Sequence, residues 1–278
     1  MSTLKPLEPG VMFWAAPHPG EVIGGVKALG VRCGQLGVGG DYLLDGAAPL
    51  WKYACDAEDF TLVTVFCAYS GEDYADIPTV ERTVGFIPAA TRAEREARTI
   101  ALSDFAGKLG VKSIGAHVGF VPHDKDHPDY IAVRDLVRRI CDHAQRHGQT
   151  FALETGQEPA ETLLAFFKDV DRPNLGINFD PANMILYGTG DPIEALGVLG
   201  HHVISVHAKD GVWPPKDVVG ALGHEKALGT GDVGIPAFVA KLKEIGYQGS
   251  VNVEREGTNP EVWRHDVAAG VRLLNELI

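Results

Sequence analysis

Four side chains of metal-binding type each close a short apolar run in the second half of this 278-residue chain. They are Glu154 in TFALET, Asp180 in NLGINFDPAN, His207 in VISVHAKD and Glu254 in GSVNVERE. The intervals are 26, 27 and 47 residues, each close to one or two strand-plus-helix units. Three carboxylates and one imidazole form a ligand set suited to a divalent cation. Mostly oxygen donors with one nitrogen favour Mn²⁺, Mg²⁺ or Co²⁺, and Zn²⁺ is also accommodated. If the four runs are neighbouring parallel strands, the side chains meet at one end of the sheet. The chain is then predicted to be a metal-dependent enzyme.

The elements that must position them alternate along the chain. Apolar, β-rich runs predict strands over 11–16, 31–37, 60–68, 112–118, 150–154, 174–180, 202–208 and 249–255. Helical patterns fall near 19–29, 47–57, 91–109, 127–147, 158–170, 191–199, 234–245 and 260–277. Eight strand–helix units predict an α/β fold, a single (β/α)8 TIM barrel domain over residues 1–278. Pro159, Pro192 and Pro260 mark helix starts, and Gly30, Gly110, Gly148 and Gly246 mark helix ends. Two long connections, 69–90 and 209–233, follow the third and seventh strands, at the end where barrel active sites are built.

Side chains alternate faces along a strand. In the fifth strand Phe151 and Leu153 oppose Ala152 and Glu154. In the sixth, Leu175, Ile177 and Phe179 oppose Gly176, Asn178 and Asp180. In the seventh, Ile204, Val206 and Ala208 oppose Ser205, His207 and Lys209. In the eighth, Val251 and Val253 oppose Asn252, Glu254 and Glu256. Each time the apolar set suits the outer helices and the candidate ligand falls inward. A charge aimed into a barrel without a partner costs several kcal/mol, and a bound cation removes that cost.

The same phase turns His117 inward, where substrate contact is favoured over a hydrogen-bonded core histidine. Lys209 points inward nearer the mouth, either to hold a substrate oxygen or developing enolate or to pair with a rim carboxylate. Trp14 ends the first strand, as an apolar wall for a sugar face or as a core tryptophan. His18, His123, His127, His201, His202 and His224 lack a ligand-like setting and read as solvated or capping residues. GTGDVG at 229–234 lacks the ending of a phosphate loop and reads as a turn before the next helix.

Bulk properties narrow the class. The net charge is −12 with no basic stripe, which excludes nucleic acid as the expected partner. Cys33, Cys55, Cys67 and Cys141 show no CxxC spacing and read as buried apolar residues in a reducing compartment. The start, MSTLKPLEPG, lacks the apolar core of a signal peptide, and no stretch reaches the ~18 apolar residues of a membrane span. A cytoplasmic protein with no membrane partner is predicted.

Five motifs carry a family resemblance: ALET (152–155), NFDPAN (178–183), VHAKDG (206–211), ALGTGDVGIPAFVAKLKEIGYQG (227–249) and VNVERE (251–256). Together they resemble the xylose isomerase-like barrel superfamily, broadly the sugar phosphate isomerases and epimerases. The resemblance implies one divalent metal held by Glu154, Asp180, His207 and Glu254. By analogy with the family's keto-sugar 3-epimerases, Glu154 and Glu254 are also its acid/base pair. Those epimerases carry a histidine three residues after the aspartate. This chain has Asn183 there, expected to contact substrate or metal-bound water.

Endonuclease IV shares the superfamily but needs further histidines and an aspartate for three zinc ions. Asn183 and GHEKALG depart from that set. The expected activity is isomerisation or epimerisation of a sugar or sugar derivative by proton transfer through an enediolate. The alternative is a dehydratase or lyase acting on a keto-inositol or 3-keto-glycoside. An endonuclease IV-like nuclease and a non-catalytic sugar-binding barrel rank below both. The expected partner is a small sugar or polyol, with homo-oligomers left open.

Overall fold

The computed structural model describes residues 7–257 and 259–278. Residues 1–6, part of the segment read above for a signal core, lie outside the described residues. The strands in chain order are β1 (Glu8–Trp14), β2 (Cys33–Val38), β3 (Thr61–Cys67), β4 (Ser113–Ala116), β5 (Thr150–Glu154), β6 (Leu175–Phe179), β7 (Val203–Ala208), β8 (Asp210–Val212), β9 (His224–Lys226) and β10 (Ser250–Val253). All but β8 and β9 form a closed parallel barrel in sequence order, with β10 closing on β1. The helices are α1 (Pro19–Lys27), α2 (Ala47–Glu58), α3 (Ile77–Thr83), α4 (Arg92–Leu109), α5 (Pro128–Gln145), α6 (Ala160–Val170), α7 (Pro181–Tyr187), α8 (Pro192–Leu199), α9 (Ile235–Glu244) and α10 (Pro260–Leu277). The fold is the α/β TIM barrel that the alternation of runs predicts.

Period-two patterning does the sorting. Outward apolar residues pack on the helices: Phe13 lies 6.5 Å from Trp51 of α2, and Phe179 stacks 6.0 Å from Phe238 of α9. Asp191 caps α8 by accepting from Ile193 and Glu194 N–H, and Asn259 caps α10 in the same way. Gly110 ends α4 in the left-handed region, at φ 79°, where a side chain would be strained. All four cysteines are free and buried, and burial pushes the Cys33, Cys67 and Cys141 thiols up to about 12. No helix among the described residues is long and apolar enough to cross a membrane.

Three details differ from the predicted elements. β1 begins at Glu8 rather than residue 11, because Glu8–Val11 pair with Ser250–Val253 to close the barrel. Its start is set by a partner strand, not by its own apolar run. The connection 69–90 contains α3, capped by Asp76, which accepts from Thr79 N–H at 2.8 Å. Asn183 lies in α7, a short helix that the predicted elements do not include, because Asp180 supplies the cap and Pro181 the first turn.

The connection 209–233 is organised by one buried carboxylate. Asp210 Oδ1 accepts from Gly211 N–H at 2.9 Å and Val233 N–H at 3.2 Å. Its Oδ2 accepts from Gly229 and Gly231 N–H, both at 2.9 Å. The GTGDVG loop therefore resembles an anion cradle because it holds one of the chain's own anions. A Cβ on Gly231 would sit 2.3 Å from that carboxylate, so only glycine fits. Asp210→Asn turns an NH₂ toward donors and should cost about 3 kcal/mol. Urea denaturation measures that loss, and faster proteolysis within 212–224 localises it. Unchanged stability would mean that the carboxylate does not hold the loop.

Candidate metal centre

Glu154 is the last residue of β5 and His207 the penultimate residue of β7. Asp180 and Glu254 follow directly on β6 and β10. Glu254 N–H still donates to Ala208 O at 3.0 Å, so the ladder orients it. The four candidates therefore meet at the C-terminal mouth, with their ligand atoms within 4.8 Å of one another. His207 Nδ1 lies 2.8 Å from Glu154 Oε1, 2.8 Å from Glu254 Oε2 and 3.8 Å from Asp180 Oδ2. None of the four side chains is more than 9% exposed.

Asp180 is held by its surroundings on three sides. Its N–H donates to Thr155 Oγ1 at 2.8 Å and its carbonyl accepts from the same hydroxyl at 2.9 Å. Its Oδ1 accepts from Asn183 N–H at 3.0 Å as the cap of α7. Its Oδ2 is left facing the centre without a hydrogen bond, 3.8 Å from both His207 Nδ1 and Lys209 Nζ. Buried carboxylate oxygens are rarely orphaned unless something else binds there.

His207 is oriented from below. Its Nε2 lies 2.9 Å from Gln35 Oε1. The Gln35 amide donates from Nε2 to Asn178 Oδ1 at 3.1 Å and to Ser205 Oγ at 3.3 Å. With the Gln35 amide so placed, its oxygen accepts from His207 Nε2–H, and His207 Nδ1 faces the centre. An imidazole so aimed, once a cation displaces its proton, has the setting of a metal ligand with a supporting partner.

The electrostatics suit a cation. Burial pushes Glu154 up to about 8 against the pull of His207, with Glu254 and Asp180 adding to the rise. Burial acts on Asp180 and Glu254 in the same sense, but Lys209 and His207 outweigh it and hold both below the usual carboxylate range. Burial opposes charge on His207 too, yet Glu254 and Glu154 draw it well above its ordinary value. The centre attracts positive charge. A divalent ion together with the Lys209 ammonium would balance the three carboxylates. Three oxygens and one imidazole nitrogen suit Mg²⁺, Mn²⁺ or a similar ion.

Above the centre lies a pocket of about 180 Å³, lined by Tyr74, His117, Asn183, Lys209, Tyr187 and Glu256 among others. His117 Nε2 lies 3.1 Å from Glu154 Oε2, and burial, with Lys209 adding, pushes His117 down to about 4. It is a neutral imidazole at neutral pH. Asn183 Nδ2 donates to Glu154 Oε1 at 3.3 Å. Lys209 is buried, and its ammonium donates to Asn183 Oδ1 at 3.5 Å and Glu256 Oε1 at 3.2 Å.

Three of the four expected substrate contacts thus line this pocket, and Trp14 does not. Trp14 lies against Gly37, where a Cβ would sit 2.7 Å from its ring, and lines a separate cleft with α1 and α10. Gln35, Tyr74 and Tyr187 were not singled out from sequence. Gln35 had a signal, a lone amide in the apolar run CGQLGV. Tyr74 had none, since no strand or helix period carries it.

The ligand set makes a graded prediction. His207→Ala and Asp180→Asn should lose the bound metal with the fold retained, as read by metal analysis and circular dichroism. Gln35→Leu should keep all four ligands but weaken binding about 10–100-fold. Full occupancy in the first two variants would refute the ligand assignment.

Comparison with known proteins agrees with this architecture. The xylose isomerase-like TIM barrel family matches residues 25–276. A xylose isomerase domain protein from Planctomyces limnophilus is 43% identical, with a TM-score of 0.92 over 98% of this chain and 97% of that one. D-allulose 3-epimerase from Methylomonas is 18% identical with a TM-score of 0.70, covering 100% and 99% of the two chains. The 3-keto-D-glucoside 4-epimerase of Escherichia coli is 16% identical with a TM-score of 0.70, covering 96% and 99%. At the latter two identities the likeness is one of fold. Uncharacterized proteins of Methanocaldococcus jannaschii and Escherichia coli match at 33% and 27% identity over 37% and 55% of this chain. Those matches span only 33% and 47% of the relatives' own lengths. With the family match running over most of its length, this chain belongs to the xylose isomerase-like TIM barrel family.

Proposed function

We propose that this protein is a divalent-metal-dependent sugar epimerase or isomerase that moves a proton on the carbon beside a carbonyl. One observation carries the reading: Glu154 and Glu254 converge on one centre from strands separated by β6 and β7, beneath a small pocket. A divalent cation held by Glu154, Asp180, His207 and Glu254 would polarise the carbonyl and an adjacent hydroxyl, acidifying the C–H between them.

The remaining work falls to side chains. Glu154 and Glu254 are placed to approach a bound carbon from two sides, one taking the proton and the other returning it. Return to the opposite face inverts the carbon, and delivery to the neighbouring carbon isomerises the sugar. His117, a neutral imidazole 3.1 Å from Glu154 Oε2, and Asn183, which hydrogen-bonds Glu154, flank that carboxylate and can receive substrate hydroxyls. Lys209 supplies positive charge for developing enolate oxygen.

The pocket also favours an uncharged substrate. At about 180 Å³ it is below the ~300–1,000 Å³ of drug-sized sites. Lys209 is the one lysine or arginine lining it among the described residues, and Glu256, Glu254 and Asp180 already engage it. Glu225 and Glu256 line the same wall, so a phosphate dianion would meet carboxylates. A small neutral keto-sugar or polyol fits this reading.

Glu154→Gln and Glu254→Gln should each lower turnover of unphosphorylated ketoses by about 10²–10⁴-fold while retaining metal, because an amide oxygen still coordinates. In D₂O, each variant should exchange a substrate C–H from one face only. Near-wild-type turnover in either variant would refute the two-base roles. Product lacking a hydroxyl would reassign the chemistry to β-elimination.

A further inference from the structure

We propose that Asp104, His143 and His147 form a second metal site, on the outside of the barrel, for a borderline transition ion such as Zn²⁺, Ni²⁺ or Cu²⁺. Asp104 lies on α4, and His143 lies in the last turn of α5. His147 follows one turn later, past the end of that helix. His143 Nε2 lies 2.7 Å, and His147 Nε2 2.9 Å, from the same oxygen, Asp104 Oδ1. The ring centroids are 5.6 Å apart at 58°, so both edges face one point. All three ligand atoms fall within 4.8 Å of one another.

Two ligand atoms sharing a zinc ion at ~2.0–2.1 Å stand about 3–3.4 Å apart. Opening the cluster to that size needs only a slight retreat of Asp104, whose side chain is 46% exposed.

The surroundings pre-organise the ligand that leaves the helix. Lys112 Nζ donates to His147 O at 2.9 Å. Gln149 Nε2 donates to Ser103 O at 3.1 Å and Val111 O at 3.0 Å, tying the same segment to α4 and its end. Gly107, one turn past Asp104, leaves room for the ring: a Cβ there would sit 3.1 Å from His147 Nδ1. The α5 C-terminus adds a favourable field for a cation.

The two centres would sort metals by donor type. Two imidazoles and one carboxylate prefer the borderline ions, whereas three carboxylates and one imidazole prefer the hard ones. The outer cluster joins the segments that lead into β4 and β5, at the barrel end opposite the pocket. That end serves stability rather than chemistry. Its ion would clamp α4 to α5.

Zn²⁺ titration of the Mg²⁺-saturated protein tests this. Wild type should take up Zn²⁺ that His143→Ala/His147→Ala does not, and Zn²⁺ should raise the wild-type Tm by about 2–4 °C more than that of the variant. Cu²⁺ spin resonance gives a second readout in a different background. In His207→Ala, which removes the imidazole of the proposed barrel ligand set, bound Cu²⁺ should show two nitrogen ligands, falling to one with His147→Ala added. Equal zinc uptake and equal thermal response in wild type and double variant would overturn the site. So would a copper spectrum without paired nitrogens, leaving the cluster a hydrogen-bonded ion pair.

Discussion

Three carboxylates buried against one imidazole set the terms for the rest of this barrel. Unit charges of like sign 4 Å apart repel by about 4 kcal/mol at the effective dielectric of a protein's outer layers. The chain answers with positive charge at the same depth. Lys209, directly after β7, reaches within 3.8 Å of Asp180 and 3.6 Å of Glu254. His207 supplies a nitrogen at the centre. A residual demand for positive charge remains, and the Asp180 oxygen that makes no hydrogen bond shows where it is concentrated. A buried constellation of this kind destabilises a fold unless something binds it, so its presence is better explained by use than by stability.

The barrel floor is built to keep that constellation in register. Gln35, Asn178 and Ser205 form a hydrogen-bonded layer beneath His207, with Ser205 also donating to Asn178. The β-ladders shift register at Gly34/Gln35 and at Ile177/Asn178, beside two members of that layer. Such irregularities re-aim side chains. On the adjoining pair β1 and β10, a Cβ on Gly10 would sit 2.3 Å from Asn252 Oδ1, so β1 yields its inward space to an amide. An apolar interior would pack equally well but would leave His207 Nε2 unpartnered and its ring free to turn.

The legible part of this molecule is whatever repeats with a strand's period. Phe151, Ile177, Val206 and Val251 announce an outer face, and the residues between them an inner one; that was enough to bring Glu154, Asp180, His207 and Glu254 to one end. The same test applied to CGQLGV would have found Gln35. Other parts have no period to read. Tyr74 reaches the pocket from an irregular segment, and its position depends on what that segment packs against. Trp14 ends β1, but that position does not say whether a ring leans over the mouth or down onto a neighbouring glycine. His143 and His147 show a helical interval, yet their partner Asp104 is 39 residues earlier, and only helix packing brings it near.

Asp180 links the fold and the centre more tightly than any other residue. One carboxylate oxygen caps α7 while the other faces the cation position, so helix and ligand share one rotamer. That helix carries Asn183, which bonds Glu154, and Tyr187, which walls the pocket. Its Leu186 carbonyl accepts from Gly223 N–H at 2.8 Å, joining α7 to the connection that Asp210 organises. A shift of Asp180 would therefore move a ligand, a wall and a loop together. The short helix, which a strand–helix count passes over, would tie metal binding to pocket shape, because its first hydrogen bond and a cation at the proposed centre would draw on the same side chain.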